Sequence, residues 1–497
     1  MTDSKDKEFN NVQKARRLFL RYRTRQHILN YSSDRNVEDL KLAKKLDPFI
    51  DEDEFHEIFH EFIFSPDASH MRKEIYNELL KEYSQDLNLN PNNVSAIVFR
   101  ADCKSRLKDY QGSIIDYNQA IQILESEKND TNKLAIETES AIGEHLPYCY
   151  HMRSIIKETI NDLDGAINDY IKFIEAGPDL YILSEYINLL MKKGDLFAAV
   201  DFCTNLIDKY SKNIPLYGSQ GNREILEAYK LRAKAKSTGQ DYQGGINDWS
   251  QIIIIDPDNY NAYRERGIIK EKNLKDFKGA LDDYSKAIDL NKLSPDYRLR
   301  GLLNWHLKNH KEALEDLTDA ISNGPIFPEE IYLERGKLFK ELGLDFQEYA
   351  NSDFKWIIDH CSMNIERGSN QHGQDTYKDA RYYYFRSQAK ELLGQRKDAI
   401  DDLDIAIEIN PDRFICFYNR GKMKLDSKDY QGAINDFDKA IEIDPKNYHC
   451  YHARGSAKAV TDDPKGGCID FKKAALLGDK EIEEWLNSES GSWCRNM

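Results

Sequence analysis

The sequence has few of the features that mark membrane, redox or nucleic-acid-binding proteins. Its longest aliphatic run, residues 252–255, is far too short to span a bilayer, and the first residues contain no apolar stretch of the kind that signal peptides need. None of the eight cysteines forms a CxxC pair, so we expect reduced structural thiols and no zinc knuckle. The net charge of −16 lacks the positive excess that binding to phosphate backbones requires. These absences predict a cytoplasmic protein with no cofactor and with neither a membrane nor a nucleic acid as its partner.

Proline is also scarce, with 13 residues, whereas tyrosine is abundant, with 29, as suits helices packed by aromatic side chains. Residues 417–447 contain a pattern of small and aromatic residues that recurs, with variations, from about residue 93 onwards at a spacing of about 34 residues. Two helices are predicted within this stretch, over 418–424 and 433–443, joined by a tight connection. The pattern consists of Gly421, Ala433, Phe437, Ala440 and Pro445.

This stretch resembles a tetratricopeptide repeat (TPR), a helix-turn-helix unit with small residues where its two helices cross. One such hairpin cannot bury its apolar face alone, so neighbouring repeats must stack on it. The resemblance implies an all-α fold, a right-handed superhelical solenoid of about ten repeats preceded by an N-terminal helical region. It also implies a non-enzymatic scaffold that binds proteins or peptides on the concave face formed by the first helices of the repeats.

Insertions in the repeat pattern suggest a division of the chain into blocks. We expect an N-terminal helical cap region over residues 1–92 and a flexible tail over 488–497. Between them, the blocks are repeats one to three with an insertion (93–212), repeats four to seven (222–360), and repeats eight to ten with a capping helix (379–487).

A charged pair recurs within the repeats. The first helix of nearly every repeat has Arg just before its small residue, and the second helix has Asp just before its aromatic or apolar anchor. The third repeat lacks both and has Tyr186 and Phe202 instead, as expected if the two side chains touch. We interpret the pairs as a structural ladder between helices rather than as binding sites. The ladder includes Arg266, Asp283, Arg300, Asp316, Arg420, Asp436, Arg454 and Asp470.

The TPR resemblance also implies which first-helix positions line a partner-binding groove. The middle positions are basic although the chain is acidic, so our hypothesis is that they bind an acidic segment of a partner, with aromatic residues supplying buried contact. The alternative is that these cations belong to solvated helix faces. The clamp with which some TPR proteins hold C-terminal carboxylates is absent around Asn419. The predicted groove residues are Lys230, Lys234, Arg264, Arg298, Lys337, Tyr384, Tyr418 and His452.

One motif offers a different function. Residues 56–60 read HExxH, a spacing that places His56 and His60 on one helix face to bind Zn²⁺, with the intervening Glu activating water. The other interpretation is an apolar helix face with the histidines beside it. Glu61 is charged where a zinc-peptidase helix normally is not, and Pro66 stands where a third histidine ligand belongs. We therefore expect no enzyme and no metal, and keep a zinc metallopeptidase as the alternative function.

Overall fold

A computed structural model describes residues 69–129, 136–175, 180–212, 214–370, 379–461 and 463–495. All regular structure in these ranges is helical, and none of the helices is both long and apolar enough to cross a bilayer. The chain divides into two compact units that meet in sequence between Asp248 and Trp249, inside the block of repeats expected over 222–360. Most of the N-terminal region expected over 1–92 lies outside the described residues.

In the described part of the first unit, the first helix is unpaired in the repeat pattern and packs its apolar face against the helix that follows. Ile75 and Leu79 of this first helix are fully buried, and Tyr83 stacks on Phe99 with 5.0 Å between ring centroids. Helix pairs then follow. The helices are α1 (Ser69–Leu89), α2 (Val94–Arg106), α3 (Tyr110–Asn129), α4 (Ile136–Thr159), α5 (Leu163–Glu175), α6 (Leu180–Lys193), α7 (Leu196–Lys212), α8 (Ile214–Thr238) and α9 (Tyr242–Ile255), the last of which contains the boundary between the units.

The second unit continues the same alternation and ends in two short helices. A turn of π-helix over Lys270–Leu274 extends its first complete helix, and a short 3₁₀-helix over Leu344–Phe346 precedes α15. Its helices are α10 (Tyr260–Ile269), α11 (Phe277–Leu290), α12 (Ser294–His306), α13 (His310–Ser322), α14 (Pro328–Leu342), α15 (Gln347–Asn370), α16 (Ala380–Leu392), α17 (Arg396–Ile409), α18 (Phe414–Asp426), α19 (Tyr430–Ile443), α20 (Tyr448–Ala459), α21 (Pro464–Leu476), α22 (Lys480–Asn487) and α23 (Ser492–Arg495). Ten pairs, α2 with α3 through α20 with α21, confirm the predicted repeats.

In seven of the ten described pairs an Asp side chain caps the second helix, as α18 and α19 illustrate. Lys428, two residues after α18, lies in the left-handed region at φ 65°, and Asp429 then caps α19 by accepting a hydrogen bond from the Gly432 amide at 3.0 Å. The two helices approach closely because Gly421 has no side chain. A Cβ atom there would lie 2.8 Å from the buried ring of Phe437. A small residue is therefore required where the two helix backbones approach each other closely.

The C-terminus corrects two expectations. Residues 488–495 form packed structure rather than a flexible tail, because α23 folds back and buries Cys494 beside Leu486 and Trp485 of α22. This places Cys494 against Cys468 of α21, with 5.3 Å between Cα atoms, and the two sulfurs form a disulfide. The expectation of reduced thiols throughout is thus wrong for this pair, because cysteine spacing along the sequence does not reveal where the chain turns back and brings two cysteines together.

The structural ladder holds each pair together. In nine of the ten described pairs, the Arg Nε and Nη2 atoms donate to the carboxylate oxygens of Asp over 2.5–3.1 Å. The Asp side chains are almost fully buried, whereas the Arg side chains keep 14–26% of their exposure. The pairs are Arg100–Asp116, Arg153–Asp169, Arg232–Asp248, Arg266–Asp283, Arg300–Asp316, Arg335–Asp353, Arg386–Asp402, Arg420–Asp436 and Arg454–Asp470.

Eight of the nine Arg side chains also bond to the preceding pair. Arg420 also donates from Nη1 to Asp404 of α17 at 2.5 Å, so it links three helices, and its guanidinium lies 5.5 Å from the centre of the Phe417 ring. Lys424, one turn later, reaches the same buried Asp436 at 2.8 Å. Equivalent Nη1 bonds to the second helix of the preceding pair are made by Arg153, Arg232, Arg266, Arg300, Arg335, Arg386 and Arg454.

A second polar cluster is buried in the first unit. Asp102 of α2 is fully enclosed and accepts hydrogen bonds from the hydroxyls of Tyr117 on α3 and Tyr148 on α4. Burial raises the pKa of Asp102 to about 7, although the two hydroxyls and Arg106 favour its charged form. The carboxyl group therefore titrates near neutral pH in the folded protein.

Replacing Arg420 by Ala is expected to lower the free energy of unfolding by about 1 to 3 kcal/mol, because Asp436 then stays buried with only Lys424 beside it. A double-mutant cycle of Arg420→Ala with Asp436→Ala, followed by denaturant unfolding of the full chain, should show strong coupling. Asp404 is half-exposed, so the matched cycle with Asp404→Ala should show much weaker coupling. Absence of coupling to Asp436 would remove the ladder as a stabilising element.

The first unit is expected to lose stability as pH rises, by up to about 4 kcal/mol, because folding holds the Asp102 proton up to a pKa of about 7 while the unfolded carboxyl group ionises near 3.8. The loss accumulates between pH 4 and 8. Asp102→Asn should flatten this dependence, so that the variant gains on the wild type from pH 5 to pH 8 in thermal denaturation. Asp164→Asn at an exposed position is the control. Parallel pH profiles for wild type and Asp102→Asn would contradict the assignment.

Candidate partner-binding face

The predicted groove residues lie on first helices, but they differ in how much of their charge is free. Lys230 and Lys234 belong to α8 in the first unit, and the other six belong to the second. Lys230 forms an ion pair with Glu227, one turn away on the same helix, at 3.0 Å. The exposed Lys234 forms no ion pair with the residues that the structure describes.

Arg264 of α10 is bound by a carboxylate of the next first helix. Its guanidinium makes a two-point contact with Asp296 of α12, in which Nη2 donates at 2.7 Å. Asp296 has no exposed surface, and its hydrogen bonds raise the pKa of Arg264. The side chain therefore joins two successive helix pairs, and its charge is neutralised within the protein.

Arg298 of α12 repeats this arrangement one pair further along. It donates from Nε and Nη2 to Glu334 of α14 at 2.8 and 2.6 Å, and its Nη1 lies 2.9 Å from Glu330 of the same helix. Two carboxylates thus surround one guanidinium. The expected basic stretch is corrected here, because at Arg264 and Arg298 the positive charge is balanced by acidic residues from the neighbouring repeat.

His452 of α20 also has a structural partner. Its Nδ1 lies 2.9 Å from Asp479, a buried residue that caps α22 by accepting the Ile482 amide at 3.1 Å. The imidazole therefore helps to hold the C-terminal helix on the last pair. Its carboxylate partner leaves it little capacity to bind a ligand.

The remaining predicted residues, Lys337, Tyr384 and Tyr418, lie on first helices of the second unit. We define the groove face as Lys337 of α14, Tyr384 of α16 and Tyr418 of α18, together with Gln388 of α16 and Lys422 of α18, which were not predicted. Lys337 and Lys422 are exposed, and neither ammonium group forms an ion pair or hydrogen bond with the described residues. Lys422 lies over the Tyr418 ring, 5.8 Å from its centroid, and Asn419 donates to the Tyr384 hydroxyl at 3.5 Å.

Electrostatics connects the two lysines. Desolvation by the surrounding protein lowers the pKa of Lys337, Glu334 opposes this effect, and the positive charge of Lys422 lowers the pKa further. The two ammonium groups are therefore close enough to interact electrostatically. Between their helices lies α16, where the Nε2 atom of Gln388 is buried and has no hydrogen-bond partner.

The alternative metal site falls on residues that the structure leaves undescribed. His56 and His60 both lie before residue 69, so the proposed zinc ligands remain a sequence-based hypothesis. Among the residues from 69 onwards that are described, no group of three or more His, Cys, Asp or Glu side chains is placed to hold a metal ion.

We did not identify from the sequence the acidic residues that pair with Arg264, Arg298 and His452. Asp296, Glu330 and Glu334 lie on a neighbouring helix pair, Asp479 caps α22, and no pattern inside one repeat identifies them. Gln388 was more accessible to prediction, since it follows the small residue Ser387 as Lys337 and Lys422 follow Gly336 and Gly421 in their helices.

Comparison with known proteins agrees with this geometry. Residues 380–413 and 414–447 each match a family model of the tetratricopeptide repeat. These windows contain α16 with α17 and α18 with α19, and so include most of the groove face.

Two human proteins are similar at low identity. Tetratricopeptide repeat protein 6 is 20% identical over 272 residues, which is 50% of this chain and 50% of that protein. Mitochondrial import receptor subunit TOM70 is 22% identical over 178 residues, which is 35% of this chain and 28% of that protein. The matches span half or less of the length of these relatives.

Solved structures resemble the chain more loosely. A tetratricopeptide repeat protein from Parabacteroides merdae is 19% identical with a TM-score of 0.40, covering 53% of this chain and 97% of that one. Yeast Tom70 is 13% identical with a TM-score of 0.43, covering 100% and 96%. The repeat matches and the ten helix pairs show that this chain belongs to the tetratricopeptide repeat family, whose repeats mediate protein–protein interaction.

Proposed function

We propose that the chain is a non-enzymatic scaffold whose second unit binds an acidic segment of a partner protein on the groove face. The observation that carries this proposal is the unpaired state of Lys337 and Lys422. Arg264 and Arg298, two predicted groove cations of this unit, are instead neutralised by buried or half-buried carboxylates. On the groove positions of this unit, the positive charge that a ligand meets therefore comes from Lys337 and Lys422.

The aromatic residues of the groove face supply the apolar part of the contact. Tyr384 and Tyr418 are half-buried, and burial is the main cause that raises the pKa of each phenol, so both remain neutral hydrogen-bond donors. Tyrosine is enriched in protein interfaces because it offers a large rigid surface together with one polar group. A bound segment can thus pack on the rings while its carboxylates approach the lysines.

The negative charge of the chain as a whole increases the effect of the positive charge on the groove face. The chain carries a net charge of −16, so an acidic partner is repelled from most of its surface and attracted to the groove face. Electrostatic attraction of this kind increases the association rate and weakens as salt is added.

The proposal includes a cytoplasmic location. Five buried cysteines are free thiols, as is usual for proteins of reducing compartments, and the Cys468–Cys494 disulfide is an exception to that pattern. The five are Cys149, Cys203, Cys361, Cys416 and Cys450. Fractionation of cells that express a tagged full-length chain tests this part, and recovery in a membrane-enclosed fraction would contradict it.

The combined variant Lys337→Glu/Lys422→Glu is expected to weaken binding of an acidic peptide about tenfold or more, because two attractive charges become repulsive. The probe is a fluorescein-labelled peptide of about twelve residues in which Glu and Leu alternate, so that both orientations present the same chemistry. Fluorescence anisotropy with the full chain measures its affinity at low and high salt. Binding to the wild type should weaken with salt, and the matched peptide with Gln in place of Glu should bind poorly.

The control is Lys355→Glu/Lys439→Glu. These lysines are exposed on α15 and α19, the second helices of the same pairs, so the variant has the same charge change away from the groove face. Its affinity should stay within about twofold of the wild type. Undiminished binding by Lys337→Glu/Lys422→Glu would show that acidic segments bind elsewhere.

A further inference from the structure

One position on the first helices of the second unit differs in chemistry from helix to helix. It is the residue that immediately follows the buried small residue, and it therefore has the same place on every first helix. We call the residues at this position, taken in chain order, the row. Three consecutive members end in nitrogen donors, the next is a serine whose hydroxyl already donates to the carbonyl of His452, and the two on α10 and α12 are apolar. In chain order the row is Ile268, Leu302, Lys337, Gln388, Lys422 and Ser456.

The central member of the row has an unmet hydrogen bond. The Gln388 Nε2 atom is buried and finds no acceptor in the described structure, although buried amide groups are almost always paired. Leaving such a donor unpaired is unfavourable, and an incoming acceptor removes that cost. Tyr384, one turn earlier on the same helix face, already accepts a hydrogen bond from Asn419.

Two positive charges flank this amide. Lys337 and Lys422 occupy the preceding and following first helices, and two carboxylates of α14 and α16 are held by arginine side chains. Glu334 is held by Arg298 at 2.6 Å, and Glu391 is held by Arg396 at 2.8 Å. Like charges facing one site favour binding of an anion between them.

We propose that Lys337, Gln388 and Lys422 form a binding site for one carboxylate, supplied by an Asp or Glu side chain within the partner's acidic segment. The Gln388 amide donates to one carboxylate oxygen, and the two ammonium groups balance its charge. This inference rests on the proposed function and adds to it the residues and the chemical group that give specificity.

The row itself favours a side chain over a chain terminus. The equivalent positions continue past the three donors in both directions, through Leu302 on one side and Ser456 on the other, so an extended segment has surface to contact beyond the carboxylate. Apolar residues beside the acidic residue fit Ile268 and Leu302. The site also offers no guanidinium fork of the kind that commonly recognises phosphate groups.

The test uses the full chain and four peptides of about nine residues, N-acetylated and fluorescently labelled. The first has one central Glu flanked by Leu and Ser and an amidated C-terminus. The second has Gln in place of Glu, the third has phosphoserine there, and the fourth has the central Gln with a free C-terminal carboxylate. The wild type is expected to prefer the Glu peptide over the Gln peptide about tenfold.

Gln388→Met retains the size of the side chain and removes the donor, so it should reduce that preference to about twofold or less while thermal unfolding stays unchanged. Gln431→Met, at an exposed position on α19, is the matched control and should keep the full preference. Lys422→Met provides an independent second variant, which should also reduce the preference if Gln388→Met alters folding.

The outcomes separate this inference from the function on which it rests. A Glu preference that survives in both Gln388→Met and Lys422→Met, while Lys337→Glu/Lys422→Glu abolishes binding, would overturn the carboxylate site and leave the acidic-segment proposal intact. Stronger binding of the phosphoserine peptide, or of the peptide with a free C-terminus, would overturn the assignment to a side-chain carboxylate. Binding unaffected by Lys337→Glu/Lys422→Glu would overturn both.

Discussion

The buried carboxylate on the second helix of each pair is the constraint on which the two units depend. An unpaired charge in that place would be strongly unfavourable, so each Asp requires the Arg that meets it from the first helix. The two-point contact fixes both the distance and the rotation of one helix against the other. Because Arg420 also reaches Asp404 of the preceding pair, the same side chain transmits this alignment from one repeat to the next.

Two pairs show what happens where the ladder changes. In α6 and α7, Tyr186 meets Phe202 edge to face with 5.0 Å between ring centroids, so an aromatic contact replaces the ion pair as a unit. In α14 and α15, Phe339 takes the place of the second cation, and burial raises the pKa of Asp353 against the opposing effect of Arg335. The buried Asp is thus absent where its Arg is also absent, and the second cation is absent where the Arg remains.

The ladder and the contacts between repeats also limit what can bind a partner. Most arginines of the first helices are engaged by acidic residues inside the protein, and their number says little about the charge that a ligand meets. Arg264 illustrates the distinction, since it occupies a groove position and yet faces a fully buried Asp296. Lys337 and Lys422 are the contrasting case on the groove face, where neither ammonium group forms an ion pair with a carboxylate of the described residues.

The sequence by itself determined the helix pairs, the small residues at their crossings and the Arg–Asp ladder. These features repeat within one hairpin, where a fixed separation such as that of Arg420 and Asp436 implies a fixed geometry. Only the tertiary structure decided the contacts between pairs, including Arg298 with Glu334, the disulfide of Cys468 with Cys494, and the unpaired amide of Gln388. The physical reason is that stacking brings together residues whose separation follows no period, and their pairing depends on how each repeat packs on the next.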